Sequence, residues 1–185
     1  MRGPYSQLKS IPNILSLVRI LLIPFFLWAF LWKRSYLLSS GLLIFSGLTD
    51  LCDGYIARRF NMVTELGKVL DPVADKLTQL AILFCLSLRY PVFLAALAVF
   101  AVKELLMLTG GILLLRKRIH PGSAKWFGKL ATFFFYLSTI VIVLIPTLDE
   151  RVVNTVVLLN ILLLLFALAR YIPIFFSLKK GGGND

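Results

Sequence analysis

One histidine, two cysteines and nine acidic residues are all that this 185-residue chain carries of those types. Cys52 and Cys85 both lie inside apolar stretches, which argues against a disulfide framework. The lone His120 stands beside Pro121 and is expected in a loop. No A-x-A-like cleavage site follows the first apolar segment, which is also too long for a signal-peptide core. It is read as a retained span. A polar stretch long enough for a soluble domain is missing as well.

What is abundant is hydrocarbon. Hydrophobic residues make up 59% of the chain and the mean hydropathy is +0.88. A soluble domain of this length cannot hide that much apolar surface, so the composition predicts an all-α integral membrane protein. The net charge is +11, from 20 Lys+Arg against 9 Asp+Glu. The basic residues fall between apolar runs and form no amphipathic stripe. They fit anionic lipid headgroups and basic cytoplasmic loops rather than nucleic acid.

Segments of spanning length, roughly 20 residues, are expected near 11–32, 36–58, 69–88, 91–115, 127–147 and 152–177. Short connections predict a six-transmembrane-helix bundle forming a single membrane domain over 1–185, with a flexible tail at about 179–185. An even number of spans puts both termini on one side. Connections and termini on that side hold twelve basic residues, against four (Lys33, Arg34, Arg89, Arg151) on the other. The basic side is therefore expected to be cytoplasmic. Trp28, Trp32 and Trp126 near span ends suggest an interfacial belt.

Against this apolar background the stretch "TDLCDGYIARRFNMVTELGKVLDPVADK" places Asp50, Asp53, Asp71 and Asp75 close together. Asp50 and Asp53 are three apart, and Asp71 and Asp75 four apart, so each pair shares one helix face. A short basic connection folds the two helices together and allows all four carboxylates to converge at the cytoplasmic end. Carboxylates in a membrane helix are expensive. A cluster of them without histidine or exposed thiolates suits hard divalent cations, Mg²⁺ or Mn²⁺, which in turn suit phosphate chemistry. Gly54, Ala57 and Gly67 are small enough to admit a ligand close to the backbone. They also suit tight helix packing. Arg58 has the geometry for bidentate phosphate contact.

The pattern Asp50-x2-Asp53-Gly54-x2-Ala57-Arg58-x8-Gly67-x3-Asp71-x3-Asp75 resembles the signature of the CDP-alcohol phosphotransferase family at every position. "IPNILSLVRILLIP" and "GKVLDPVADK" are similar to the bacterial phosphatidylglycerophosphate synthases and cardiolipin synthases of that family. The resemblance implies a homodimeric enzyme of the bacterial cytoplasmic membrane, with its active site facing the cytoplasm. It implies two divalent ions on Asp50, Asp53, Asp71 and Asp75, with Asp75 also the general base. It further implies that Asn13, Ser16, Gly54, Ala57, Arg58, Thr64 and Gly67 bind the CDP-lipid. CDP-diacylglycerol would then pass its phosphatidyl group to an alcohol and release CMP.

The acceptor is expected to carry a phosphate, as a phosphorylated small alcohol or a phospholipid. Arg19, Lys103, Arg116, Lys129 and Arg170 are the cations that would hold it. Glycerol 3-phosphate is the expected acceptor, with cardiolipin or phosphatidylinositol phosphate synthesis as alternatives. Phosphatidylglycerophosphate synthases usually show Arg-Glu where "VKEL" stands here. They often show Gly-Lys-x-Lys-Thr where this chain reads "GKLAT", so Ala131 replaces a lysine that cardiolipin synthases also lack. A divalent-cation transporter is the non-enzyme alternative. It would spread carboxylates through the depth of several helices, whereas the four aspartates here gather at one end.

Overall fold

The computed structural model describes residues 10–60, 62, 64–116 and 126–181. Those residues form six helices: α1 Ile11–Leu27, α2 Tyr36–Arg59, α3 Gly67–Ser87, α4 Val92–Arg116, α5 Trp126–Leu144 and α6 Glu150–Gly181. Among the described residues four segments are long and apolar enough to cross a membrane: Ile11–Trp32, Val92–Leu113, Trp126–Leu144 and Glu150–Tyr171. Helices α2 and α3 fall short of that measure because they carry the aspartates and their flanking cations. The protein is thus an all-helical membrane protein. Its outward faces keep large apolar side chains uncovered, such as Leu37 at 76% exposure and Leu21 at 63%, as hydrocarbon contact allows.

Helix α1 begins at Ser10, whose carbonyl accepts the Ile14 amide at 3.0 Å. Pro12 stands in the first turn, where its missing N–H costs nothing. After the internal Pro24 the helix widens into a π-helical stretch, Trp28–Trp32. The chain turns at Arg34, a non-glycine residue with φ 48°, before α2 starts. Trp28, Trp32 and Trp126 are all exposed. Helix α6 continues through Lys179 and Lys180 to Gly181, while residues 182–185 lie outside the described ones. The 117–125 connection, with His120, is outside them too.

The chain divides into two compact units. The first takes in Met1–Arg89 and Thr139–Leu148. Within it α1 lies against both α2 and α3. Helix α2 meets its neighbours through small residues: Ser39, Ser40, Ser46 and Thr49 are buried. Ser39 and Ser40 return their hydroxyl hydrogens to carbonyls one turn back, at 2.9 and 2.8 Å. Short side chains with satisfied hydroxyls let membrane helices approach closely. Ala74, Ile82, Leu83, Cys85 and Leu86 of α3 fill the core with Phe26, Ala29 and Leu43. At the far end of α2 and α3 from the aspartates, Arg89 donates to the Pro146 carbonyl at 2.6 Å. Its guanidinium also lies over the Tyr36 ring at 4.8 Å.

The second unit takes in Tyr90–Ser138 and Asp149–Asp185. In it α4 packs on α6, and Phe127, Ala131, Leu164 and Ala167 form a buried apolar cluster. The Phe127 and Tyr171 rings meet edge to face with centroids 4.8 Å apart. Asn160 donates to the Ser138 hydroxyl at 2.9 Å.

Candidate metal centre and substrate site

Three helices of the first unit build the site. Asn13, Ser16 and Arg19 recur every three residues on one face of α1, and all three are buried. Asp50 and Asp53 come from the last turns of α2, and Asp71 and Asp75 from the first turns of α3. One carboxylate oxygen each from Asp50, Asp53 and Asp71 lies within 4.8 Å of the other two. The Asp53 side chain is 4% exposed, whereas those of Asp50 and Asp71 are 45% and 46% exposed.

Arg19 holds the three carboxylates together. Its Nη1 lies 2.8 Å from Asp50 Oδ1 and 3.1 Å from Asp71 Oδ1, and its Nη2 donates to Asp53 Oδ2. Ser16 stands 3.5 Å from the same Asp53 oxygen, while its hydroxyl also donates to the Pro12 carbonyl at 3.1 Å. Three carboxylates with one guanidinium among them suit a hard divalent cation, which takes oxygen donors and needs several negative charges. Asp75 stands outside that triangle. Its two oxygens accept from Gln79 Nε2, at 3.3 and 3.1 Å.

The entry to α3 is tied to α1. The Thr64 carbonyl accepts the Lys68 amide at 3.1 Å and its Oγ1 accepts the Gly67 amide at 2.9 Å. Thr64 thereby caps the helix. Asn13 Nδ2 donates to that same Oγ1 at 2.9 Å, across a sequence gap of 51 residues. A Cβ on Gly67 would come within 2.5 Å of Asn13 Oδ1 and 3.0 Å of Thr64 Oγ1. The missing side chain at Gly67 therefore has a reason inside the protein, independent of any ligand. Gly54 and Ala57 sit half-buried on α2 beside the aspartates, and the Arg58 side chain lies outside the described residues.

The cations considered for an acceptor phosphate divide. Arg19 is embedded in the carboxylate cluster. Lys103, Lys129 and Arg170 belong to the second unit. Lys103 pairs with Glu104 at 2.6 Å, and Lys129 and Arg170 are exposed. The Arg116 side chain lies outside the described residues. Ala131 is buried in the apolar cluster of that unit, so this position is taken up by packing here. Two features went unread in the sequence: the clamp of Arg19 on the aspartates and the Gln79 brace on Asp75. The three-residue spacing of Asn13, Ser16 and Arg19 and the four-residue spacing of Asp75 and Gln79 were the available signals.

The chain is 30% identical over 168 residues to a CDP-diacylglycerol–glycerol-3-phosphate 3-phosphatidyltransferase of Aquifex aeolicus (strain VF5), covering 88% of this chain and 93% of that one. A Rickettsia felis protein of the same name is 46% identical over 71 residues, 37% of this chain and 39% of its own length. A cardiolipin synthase (CMP-forming) of Streptomyces coelicolor is 36% identical over 132 residues, 69% of this chain and 61% of that protein. The profile of CDP-alcohol phosphatidyltransferases matches residues 9–172, which take in the carboxylate triangle, the Asp75 brace and the Thr64 cap, and this chain belongs to that family.

Proposed function

We propose that this chain is a CDP-diacylglycerol-dependent phosphatidyltransferase that makes phosphatidylglycerophosphate from glycerol 3-phosphate and releases CMP. The observation that carries the reading is the triangle of Asp50, Asp53 and Asp71 within a chain of this family. The name of the Aquifex relative, matched over nearly its whole length, supports glycerol 3-phosphate.

Asp50, Asp53, Asp71 and Asp75 would hold two divalent ions, Mg²⁺ or Mn²⁺. Bound there, such ions neutralise pyrophosphate oxygens and make CMP a better leaving group. Asp75 takes the proton of the acceptor hydroxyl on a carboxylate oxygen as that hydroxyl attacks phosphorus. Gln79 keeps the Asp75 carboxylate oriented. Asn13, Ser16, Gly54, Ala57, Arg58, Thr64 and Gly67 surround the CDP headgroup in this reading. Lys103, Lys129, Arg116 and Arg170, and Arg19 when it is free of the carboxylates, supply charge for the acceptor phosphate.

All six helices span the membrane as one domain in this account. The carboxylates and both termini face the cytoplasm, and the enzyme works as a homodimer. The excess of basic residues on that side supports the orientation. Cardiolipin synthesis is the second reading, favoured by Ala131 in place of a lysine and by the Streptomyces relative. The deciding experiment offers purified protein CDP-diacylglycerol with glycerol 3-phosphate and phosphatidylglycerol together, and separates the products by mass. Phosphatidylglycerophosphate is the expected product; accumulation of cardiolipin alone overturns the choice of acceptor.

A further inference from the structure

Arg19 is 1% exposed in the core of the first unit, and its guanidinium is turned wholly toward carboxylates. Among the described residues its side-chain partners are Asp50, Asp53 and Asp71, and its buried Nε has no hydrogen-bond partner. On its other side Arg19 borders a small cavity shared with Leu22, Phe26, Leu43 and Thr78. Among the described residues, the polar contacts of the guanidinium are all to carboxylates. The three carboxylates that it engages are the same three whose oxygens converge in the triangle suited to a divalent ion. A guanidinium and a metal ion cannot both use the same lone pairs fully.

We propose that Arg19 is the resident counter-cation of this cluster. It keeps Asp50, Asp53 and Asp71 convergent before a divalent ion arrives, and it competes with that ion for the same oxygens. It thereby sets how tightly the ion binds. The proposal rests on the metal-centre reading above. Without a positive charge among them, three carboxylates in a membrane helix bundle repel one another and spread apart. With the guanidinium in place the triangle is assembled in advance. The cost is a weaker metal site than three free carboxylates would make. Arg19 is thus a positioning residue, and its release on metal binding makes a buried cation available to a phosphate-bearing substrate.

The test compares wild type, Arg19→Gln and Arg19→Lys, each purified in detergent and stripped with chelator. Mn²⁺ binding is read from the free-ion paramagnetic signal, and thermal unfolding is recorded with chelator and with saturating Mn²⁺. Arg19→Gln is expected to bind Mn²⁺ about tenfold more tightly or better, since a unit charge is removed from beside the site. It should unfold at lower temperature than wild type in chelator and recover that loss in Mn²⁺. Arg19→Lys, which keeps the charge but reaches fewer oxygens, should bind Mn²⁺ with intermediate affinity. It decides the matter should Arg19→Gln fail to fold. Unchanged or weaker Mn²⁺ binding in the variants, or a stability loss that Mn²⁺ leaves in place, overturns the proposal alone. Failure of wild type and variants alike to bind Mn²⁺ overturns the metal-centre reading and this proposal with it.

Discussion

Gln79 donates from Nε2 to both carboxylate oxygens of Asp75, one helical turn away, at 3.1 and 3.3 Å. Gln79 is 4% exposed, so packing fixes its amide and the amide in turn fixes the plane of the carboxylate. If Asp75 is the base of the proposed function, it is oriented before substrate arrives. Asp75→Asn is therefore expected to reduce turnover by about 10²-fold or more, while CDP-lipid binding largely survives. Steady-state kinetics and a lipid-binding assay on the same variant check this, and near-wild-type turnover would remove the base assignment.

Metal dependence separates from base catalysis. Chelation should abolish CMP release from CDP-diacylglycerol, and added Mg²⁺ or Mn²⁺ should restore it. Asp50→Asn and Asp71→Asn should weaken Mn²⁺ binding as well as turnover, because each removes a ligand from the triangle. Full activity of the metal-stripped protein contradicts the two-ion reading.

Gly67→Ala is expected to destabilise the protein by about 1–3 kcal/mol through overpacking. The new methyl would meet Asn13 Oδ1 at 2.5 Å, and Asn13 cannot retreat without losing Thr64. Gly47→Ala serves as the control, because a Cβ there meets nothing within 4 Å. Thermal unfolding in detergent should fall for the first variant and not for the second. Equal behaviour of the two would show that the Asn13–Gly67 fit carries no stability.

Lys103 and Lys129 are the acceptor-phosphate residues of the proposed function. Neutralising either should raise the acceptor KM more than the CDP-lipid KM. A charge-assisted hydrogen bond of about 1.5–3 kcal/mol corresponds to roughly a 10–150-fold effect. Since Lys103 pairs with Glu104 at 2.6 Å, Glu104→Gln tests the rival role. Loss of stability in both single variants, with an unchanged acceptor KM, assigns Lys103 to a structural ion pair.

The six helices were legible because each apolar run is bounded by charge, proline or glycine, and the helix limits fall close to the expected spans. The aspartates were legible for a similar reason: four carboxylates gathered within so apolar a chain have few physical explanations. The π-helical stretch Trp28–Trp32 was not, since five apolar residues there read as ordinary helix and the wider turn comes from backbone geometry after Pro24. Arg19 was noticed as a cation but not as the partner of three aspartates. Its nearest partner in sequence is Asp50, and no local spacing rule connects residues so far apart. The close approach of Asn13 to Gly67 was not legible either, since 54 residues separate the two in sequence.

The unequal exposure of the three aspartates gives the cluster a floor and a rim. Asp53 lies sealed beneath, and Asp50 and Asp71 stand half-open above it. In the proposed metal centre an ion arriving from water would meet the rim first and would exchange part of its hydration for those two carboxylates while still in contact with solvent. Only afterwards would it reach the sealed Asp53. Dehydration would thus be spread over successive steps instead of being required all at once, which matters most for Mg²⁺, an ion that gives up its water reluctantly. Changes at the rim should therefore be felt first in how fast the ion enters, and changes at the floor in how long it stays.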